Sequence, residues 1–179
     1  MNQIGTVYGE ALYSLAAEVQ AEDAILQQLQ VLQSSFSAEP QFLQLLTSPA
    51  LAKAERCQIL DDSFRGKVEP YLLNFLKLLT EKGYIGHFSA CCDAYTDKYN
   101  QQHNILPVTA VTLTPLSLHQ SQALTDKLSS MTGKKVSLTN RIDPDCFGGI
   151  RLDYDGNRLD DTVAHRLEQV RQLLKNTVL

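Results

Sequence analysis

Four cysteines and four histidines are the side chains in this sequence best suited to nucleophilic or metal chemistry. Cys91 and Cys92 are adjacent, Cys57 falls in a helical pattern, and Cys146 lies far downstream. Zinc sites need Cys-x-x-Cys or Cys/His pairs at fixed spacing so that four ligands converge, and no such pair occurs. The thiols read as reduced, small, mostly buried side chains of a reducing compartment. Cys146, between Asp145 and Phe147, could act as a nucleophile with His165 as its base, but nothing in the spacing brings the two together. His119 and His165 fall in exposed helical contexts, and His87 and His103 near helix ends. Asp153-x-Asp155-Gly156 has the start of a calcium loop. An EF-hand needs its glycine at position six and a bidentate Glu at twelve; here the glycine comes fourth and Ala164 is twelfth. A β-hairpin turn fits better. Gly148-Gly149 is no phosphate cradle either, because the pair opens a period-two strand rather than a helix N-terminus. Lys134-Lys135 and the set Arg158, Arg166, Arg171 and Lys175 could meet an acidic partner. No aromatic residue interleaves them to stack on bases, so they read as a solvated face. No active site, cofactor or metal is expected.

The whole chain supports that reading. It has 179 residues, 44% hydrophobic and 20% charged, with a formal net charge of −4. This is the composition of a folded protein, and the acidic balance argues against a surface built to track nucleic acid. The first basic side chain is Lys53, so a secretory or transit-peptide start is not expected. Leu72 to Leu79, the longest apolar stretch, is interrupted by Asn74 and Lys77 and is too short to span a bilayer. Direct membrane insertion is not expected.

The elements follow two grammars. From Met1 to Asn104 the spacing is helical. Ile4, Val7, Tyr8, Ala11, Leu12, Leu15 and Val19 form a first stripe, and Ile25, Leu29, Leu32 and Phe36 a second. A short cluster, Phe42 to Leu46, follows Pro40. Ile59, Leu60 and Phe64 mark a fourth helix, Tyr71 to Lys82 a fifth closed by Gly83, and Ile85 through Phe88, Cys92 and Tyr95 to Tyr99 a weaker sixth. After Asn104 the period falls to two. Val108–Leu113 predicts a strand and Ser117–Thr132 a helix with Leu118, Leu124, Leu128 and Met131. Further strands are expected at Val136–Ile142, Ile150–Tyr154 and Asn157–Leu159, then a helix carrying Val163, Leu167, Val170 and Leu174. The expected fold is an N-terminal six-helix bundle, residues 1–104, followed by a β-α-β-β-β-α domain, residues 105–179. Charge divides there too: 7 Lys/Arg against 12 Asp/Glu before the boundary, and 9 against 8 after it.

One feature exceeds what a core needs. On a wheel of Tyr71–Lys82, Leu72, Phe75, Leu76 and Leu79 share a face, flanked by Tyr71 and Leu78 on one side and Leu73 on the other. The apolar arc of about 220° is wider than a helix packed on one side requires. In the first helix Leu12, Leu15 and Val19 serve a core while Val7 and Ala11 spread to a flank. Either both helices are central, or they border a groove for an amphipathic partner helix.

Ordered motifs along nearly the whole length resemble the delta subunit family of bacterial and chloroplast F-type ATP synthases, counterpart of the mitochondrial oligomycin-sensitivity-conferring protein. Tyr8-Gly9-Glu10-Ala11-Leu12-Tyr13-Ser14-Leu15-Ala16 resembles the family's Tyr-Ala-x-Ala-Leu opening and the Leu-Ala after it. Phe42-Leu43 through Ser48-Pro49 resembles its "Phe-Leu … Ser/Asn-Pro" element. Asn74-Phe75-Leu76-x-Leu78-Leu79-x-Glu81-Lys82-Gly83 is similar to its fifth-helix signature. The most specific block is Ile142-Asp143-Pro144-x4-Gly149, then Asp160-x-Thr162-Val163 and Arg166-Leu167. The chain departs from the family at Thr6, where a basic residue is usual, at Gly9 for Ala, at Tyr84 for Arg, and at Asp160-Asp161-Thr162.

The resemblance implies a non-catalytic stator subunit, one copy per complex, peripheral on the cytoplasmic face of a bacterial membrane. The alternatives are a helical adaptor of another complex and a small Cys-dependent hydrolase. The resemblance implies that the bundle grips the N-terminal helix of an alpha subunit in a groove between its first and fifth helices, which favours the groove over the central reading. On it this implies Ile4, Val7, Tyr8, Ala11, Leu15, Tyr71, Asn74, Leu78 and Lys82. The second domain would hold the b subunits of the peripheral stalk. There Gly148, Gly149, Asp160, Val163, Arg166 and Leu167 either touch the stalk or support the fold.

Overall fold

The computed structural model describes residues 3–48, 51–163, 165 and 167. It divides into two compact units, 1–99 and 100–179.

The helical part comprises α1 (Gln3–Glu18), α2 (Glu22–Ala38), α3 (Pro40–Thr47), α4 (Lys53–Phe64), α5 (Pro70–Lys82) and α6 (Phe88–Gln102). Local chemistry sets their limits. Pro40 and Pro70 open α3 and α5, where a missing N–H costs nothing. Gly83, left-handed at φ 76°, closes α5 and donates its N–H to the last turn. The α2 stripe Ile25, Leu29, Leu32 and Phe36 is fully buried. Phe36 gathers Phe42, Phe64 and Phe88 at ring separations of 5.5, 6.2 and 5.1 Å. Two phenols of α6 tie it to the start of α2. Tyr95 donates to the Glu22 carbonyl at 2.9 Å, and Tyr99 donates to the Asp23 carboxylate.

Two expectations need correction here. The sixth helix does not begin at Ile85: residues 85–87 form a 3-10 turn, and α6 starts at Phe88. The α1 core face is not Leu12, Leu15 and Val19 but Gly5, Gly9, Leu12, Tyr13 and Ala16, with Leu15 and Val19 exposed. The cause is α6. A Cβ on Gly9 would press on the Cys91 carbonyl oxygen and lie 2.8 Å from the Ala94 Cβ, and one on Gly5 would lie 2.6 Å from the Ala90 Cβ. Glycine lets the two helices approach, so the buried face falls on residues that hydropathy does not flag.

The second part has a mixed four-stranded sheet in the order β2-β1-β3-β4: β1 (Ile105–Thr112), β2 (Lys135–Ile142), β3 (Ile150–Tyr154) and β4 (Asn157–Asp160), with α7 (Leu118–Thr132) between β1 and β2. β1 and β2 run parallel, as a helical crossover permits. β3 is antiparallel to β1 and to β4. The β3–β4 turn has Asp155 and Gly156 both at positive φ, 46° and 73°, the form that suits a two-residue hairpin. β1 starts earlier than Val108 and includes Pro107. That residue lies beyond the last β3 partner, the Val108–Tyr154 pair, so its missing N–H breaks no ladder there. A capping box opens α7: the Ser117 hydroxyl oxygen accepts from the Gln120 N–H, and the Gln120 side chain accepts from the Ser117 N–H. Leu106, Val108, Ala110 and Leu152 form a buried cluster, with Leu124 and Leu128 of α7 against it. Gly148 and Gly149 do not open β3; they precede it, left-handed at φ 121° and 81°. Val163, His165 and Leu167 are helical, whereas Val170 and Leu174 fall outside the described residues.

Candidate functional site

A groove of about 350 Å³ runs between α1 and α5, lined by Val7, Tyr8, Ala11, Leu12 and Leu15 from one helix and Tyr71, Asn74, Phe75 and Leu78 from the other. It exists because α5 is buried unevenly. Leu72, Leu73, Phe75, Leu76 and Leu79 are enclosed, while Tyr71 and Leu78 remain 41% and 40% exposed. The wide arc therefore has two causes: the Leu73 flank is covered within the unit, and the Tyr71–Leu78 flank is open. Opposite it Val7 is 59% exposed. Tyr8 meets Tyr84, just past the end of α5, edge-on at 5.8 Å. The N-terminal half of α1 thus lies by the C-terminal end of α5.

The lining contains no carboxylate, amine, imidazole or thiol. Such a surface can bury apolar area, and its only ionisable groups are the phenols of Tyr8 and Tyr71. Seven of the nine residues expected on it, Val7, Tyr8, Ala11, Leu15, Tyr71, Asn74 and Leu78, come together there. Ile4 and Lys82 are not among the lining residues. Ile4 is half-buried, and Lys82 lines another hollow with Lys53, Ala54, Cys57 and Glu81. A wheel gives direction around a helix but not how far along it two helices stay together. Leu12 and Phe75, read as core alone, also form the floor; their burial hid them.

The thiols lie outside this groove. All four are free, with Cys91, Cys92 and Cys146 buried and Cys57 half-buried. Burial pushes the Cys91 thiol up to about 11 and raises Cys92 further, the opposite of an activated nucleophile. Among the described residues no group of three His, Cys, Asp or Glu side chains could hold a metal ion, and no helix is long and apolar enough to cross a membrane. Arg158, expected on a solvated face, donates to the Asp153 carboxylate at 2.8 Å. That hydrogen bond is the main reason Asp153 titrates below the usual carboxylate range.

The second group of expected residues separates by environment. Gly149 lets the 161–162 backbone pass: a Cβ there would strike the Asp161 carbonyl oxygen and lie 3.0 Å from Thr162 Cα. Gly148 would bring a Cβ to 3.5 Å from Val163. The Asp160 carboxylate is turned inward onto Thr162. Val163 and Leu167 are exposed apolar side chains, and Arg166 falls outside the described residues. The motif thus mixes internal supports with outward-facing side chains. Phe147 was missed. It is 71% exposed and left-handed at φ 51°, a conformation a bulky residue rarely adopts, and no sequence pattern announces it.

Comparison with known proteins follows the same length of chain. The family model described as ATP synthase delta (OSCP) subunit matches residues 4–174. Curated relatives named ATP synthase subunit delta include one from Alkaliphilus oremlandii, 28% identical over 172 residues and 96% of each chain. Another, from Syntrophomonas wolfei, is 30% identical over 171 residues, covering 94% of this chain and 92% of its own. Among solved structures, a chain in the cryo-EM structure of the Toxoplasma gondii mitochondrial ATP synthase hexamer shares the fold. Its TM-score is 0.75 at 20% identity, over 97% of this chain and 98% of that one.

Proposed function

Because the chain belongs to the ATP synthase delta (OSCP) subunit family, the non-catalytic stator component that links the F1 head to the peripheral stalk, we propose that the α1–α5 groove receives the N-terminal helix of an alpha subunit of the head. In this reading the six helices, residues 1–104, form the head-binding bundle. The sheet domain, residues 105–179, holds the ends of the stalk's b subunits through the surface that carries Val163 and Leu167. The subunit then sits, one copy per complex, on the cytoplasmic side of a bacterial membrane without entering it.

The observation that carries the proposal is the open groove itself. Val7, Leu15, Tyr71 and Leu78 are exposed together along one channel, whereas the α2 stripe of Ile25, Leu29, Leu32 and Phe36 is buried. An exposed channel between two helices fits an amphipathic helix whose apolar face lies along it. Rotation of the central shaft exerts torque on the head, so the head must be held. A helix seated in an apolar groove gives a slowly released link, because dissociation exposes the whole buried face. Ile4, one turn before Val7 on α1, extends the stripe toward the end of a longer occupant, whereas Lys82 lines the separate hollow beside Cys57 and Glu81.

Calorimetric titration of the full chain with a peptide of the same organism's alpha-subunit N-terminal helix tests this. One-to-one binding with a negative heat-capacity change is expected. Leu78→Asp is expected to weaken it by about 2–5 kcal/mol, through burial of an unpaired charge. A well-folded chain that ignores the peptide would favour the general helical adaptor instead. An unchanged affinity for the Leu78→Asp chain would place the helix elsewhere.

A further inference from the structure

Asp160 ends β4 and a helix is under way at Val163; the crossing between them is tied at every residue. The Asp160 Oδ1 atom accepts from the Thr162 N–H at 3.0 Å and from the Thr162 hydroxyl at 2.7 Å. The Thr162 oxygen in turn accepts from the His165 N–H at 3.2 Å, the bond an N-cap side chain makes to the third residue of its helix. The backbone on either side is stitched to the segment before and into β3. Asp161 donates its N–H to the Ile150 carbonyl at 3.0 Å, and Val163 donates to the Gly148 carbonyl at 3.1 Å. Thr162 is 3% exposed, so these bonds are shielded from water. Gly149 leaves the space the crossing occupies, since any Cβ there would collide with it.

From this geometry we infer that Asp160, Thr162 and Gly149 form a positioning joint that fixes the direction in which the helical segment begun at Val163 leaves the sheet. The joint thereby sets where the exposed Val163 and Leu167 are presented. An ordinary cap satisfies the N–H groups of its own helix with a side chain that need not be tied to anything else. Here the capping side chain is itself held by a carboxylate from the preceding strand. Both neighbouring N–H groups are bonded to the adjoining chain. A pull on the helix therefore loads the sheet through four residues together. Asp160 is half-buried; it acts through Thr162, and Thr162 acts through the helix start.

The inference rests on the stalk-binding reading only for its binding readout, so two measurements are made on the full chain. One is affinity for the purified b subunits; the other is amide hydrogen exchange by residue. Thr162→Val removes the hydroxyl and nearly keeps the shape. It is expected to speed exchange at the His165 amide at least tenfold and to weaken b-subunit binding at least tenfold. The amides of Val111 and Leu152 should keep their rates. Thr162→Ser should restore both quantities. Asp160→Asn should move them the same way by less, because its amide oxygen still accepts but without the charge. An unchanged His165 rate overturns the joint. So does a loss of protection that spreads through β3, which would make Thr162 a plain structural residue, or a failure of Ser to rescue. If the unaltered chain ignores the b subunits while the exchange pattern behaves as stated, the joint stands and the stalk reading falls.

Discussion

In the helical unit α5 encloses Leu72, Leu73, Phe75, Leu76 and Leu79 and leaves Tyr71 and Leu78 open. In the sheet unit α7 has no fully buried residue, and the most tightly specified stretch is the hydrogen-bonded crossing at 160–163. The first unit makes its surface by packing. The groove is the space left open between two helices above the buried Leu12 and Phe75, and its exposed rim of Val7, Leu15, Tyr71 and Leu78 does little to hold the fold. The second unit makes its surface by direction. A few polar groups decide where a helix points, and losing one hydroxyl matters more than losing one methyl. A packed groove tolerates polar change behind it poorly and change along its rim well; a directed helix shows the reverse.

The largest effect should come from exchanging positions within α5. Leu76→Ala is expected to cost about 2–5 kcal/mol of stability, because Leu76 is fully enclosed and its loss leaves a cavity. Leu78→Ala should cost about 1 kcal/mol or less while weakening peptide binding. Denaturant titration followed by near-ultraviolet circular dichroism is a suitable probe, since six of the seven tyrosines precede residue 100. Equal costs for the two substitutions would mean that the groove is part of the core.

Glycine positions sharpen the comparison at somewhat smaller cost. Gly9→Ala should destabilise the helical unit by about 1–3 kcal/mol through overpacking against α6. That sign opposes helix propensity, which favours alanine by roughly 1 kcal/mol. Gly149→Ala should destabilise the sheet unit to a similar degree, where a left-handed φ of 81° adds to the collision with the crossing. A stabilised Gly9→Ala chain would show that α1 and α6 can separate freely. Lower on the scale, Ser117→Ala removes one half of the α7 capping box and should cost about 1 kcal/mol.

Periodicity carried much of this into view. Wide stripes on two helices pointed to α1 and α5 because hydropathy at 3.6-residue spacing records direction around an axis. The Asp155-Gly156 turn was legible because positive φ at both positions selects those residue types. What stayed hidden depends on neighbours. Gly5 and Gly9 look like weak helix positions until α6 lies against them. Leu12 and Phe75 belong to core and groove alike, and Ile4 and Lys82 share the direction of the lining without reaching it. The exposed Phe147 and the Asp160–Thr162 tie are set by a left-handed run and a backbone crossing, neither of which has a period. At Gly149 the sequence shows a glycine but not the 161–162 segment that requires it.

The smallest effect separates the units by pH. Tyr99 is pushed up to about 12 from its ordinary 10.0, first because its neutral hydroxyl is donated to the Asp23 carboxylate and then by burial. Burial raises Tyr13 and Tyr95 as well, with Glu22 and Asp23 adding to it. An acid whose folded value is raised contributes stability that is complete below its unfolded value and disappears as pH climbs through the folded one. The helical unit should therefore weaken between pH 10 and about 12, and Tyr99→Phe should flatten that limb. In the sheet unit Asp153 and Asp160 lie below the ordinary 3.8, held there chiefly by hydrogen bonds from Arg158 and the Thr162 hydroxyl. Their contribution is complete above that value and is lost as pH falls through the lower folded ones. Asp61, lowered mainly by Lys77, gives the helical unit some acid sensitivity, but Asp97, raised by burial and Asp93, works against it. Tyrosine dichroism should accordingly fail first in alkali, and the exchange protection of Leu152 first in acid. Simultaneous loss of both signals at both extremes would mean that the units melt as one body and that the contrast between them is only one of surface.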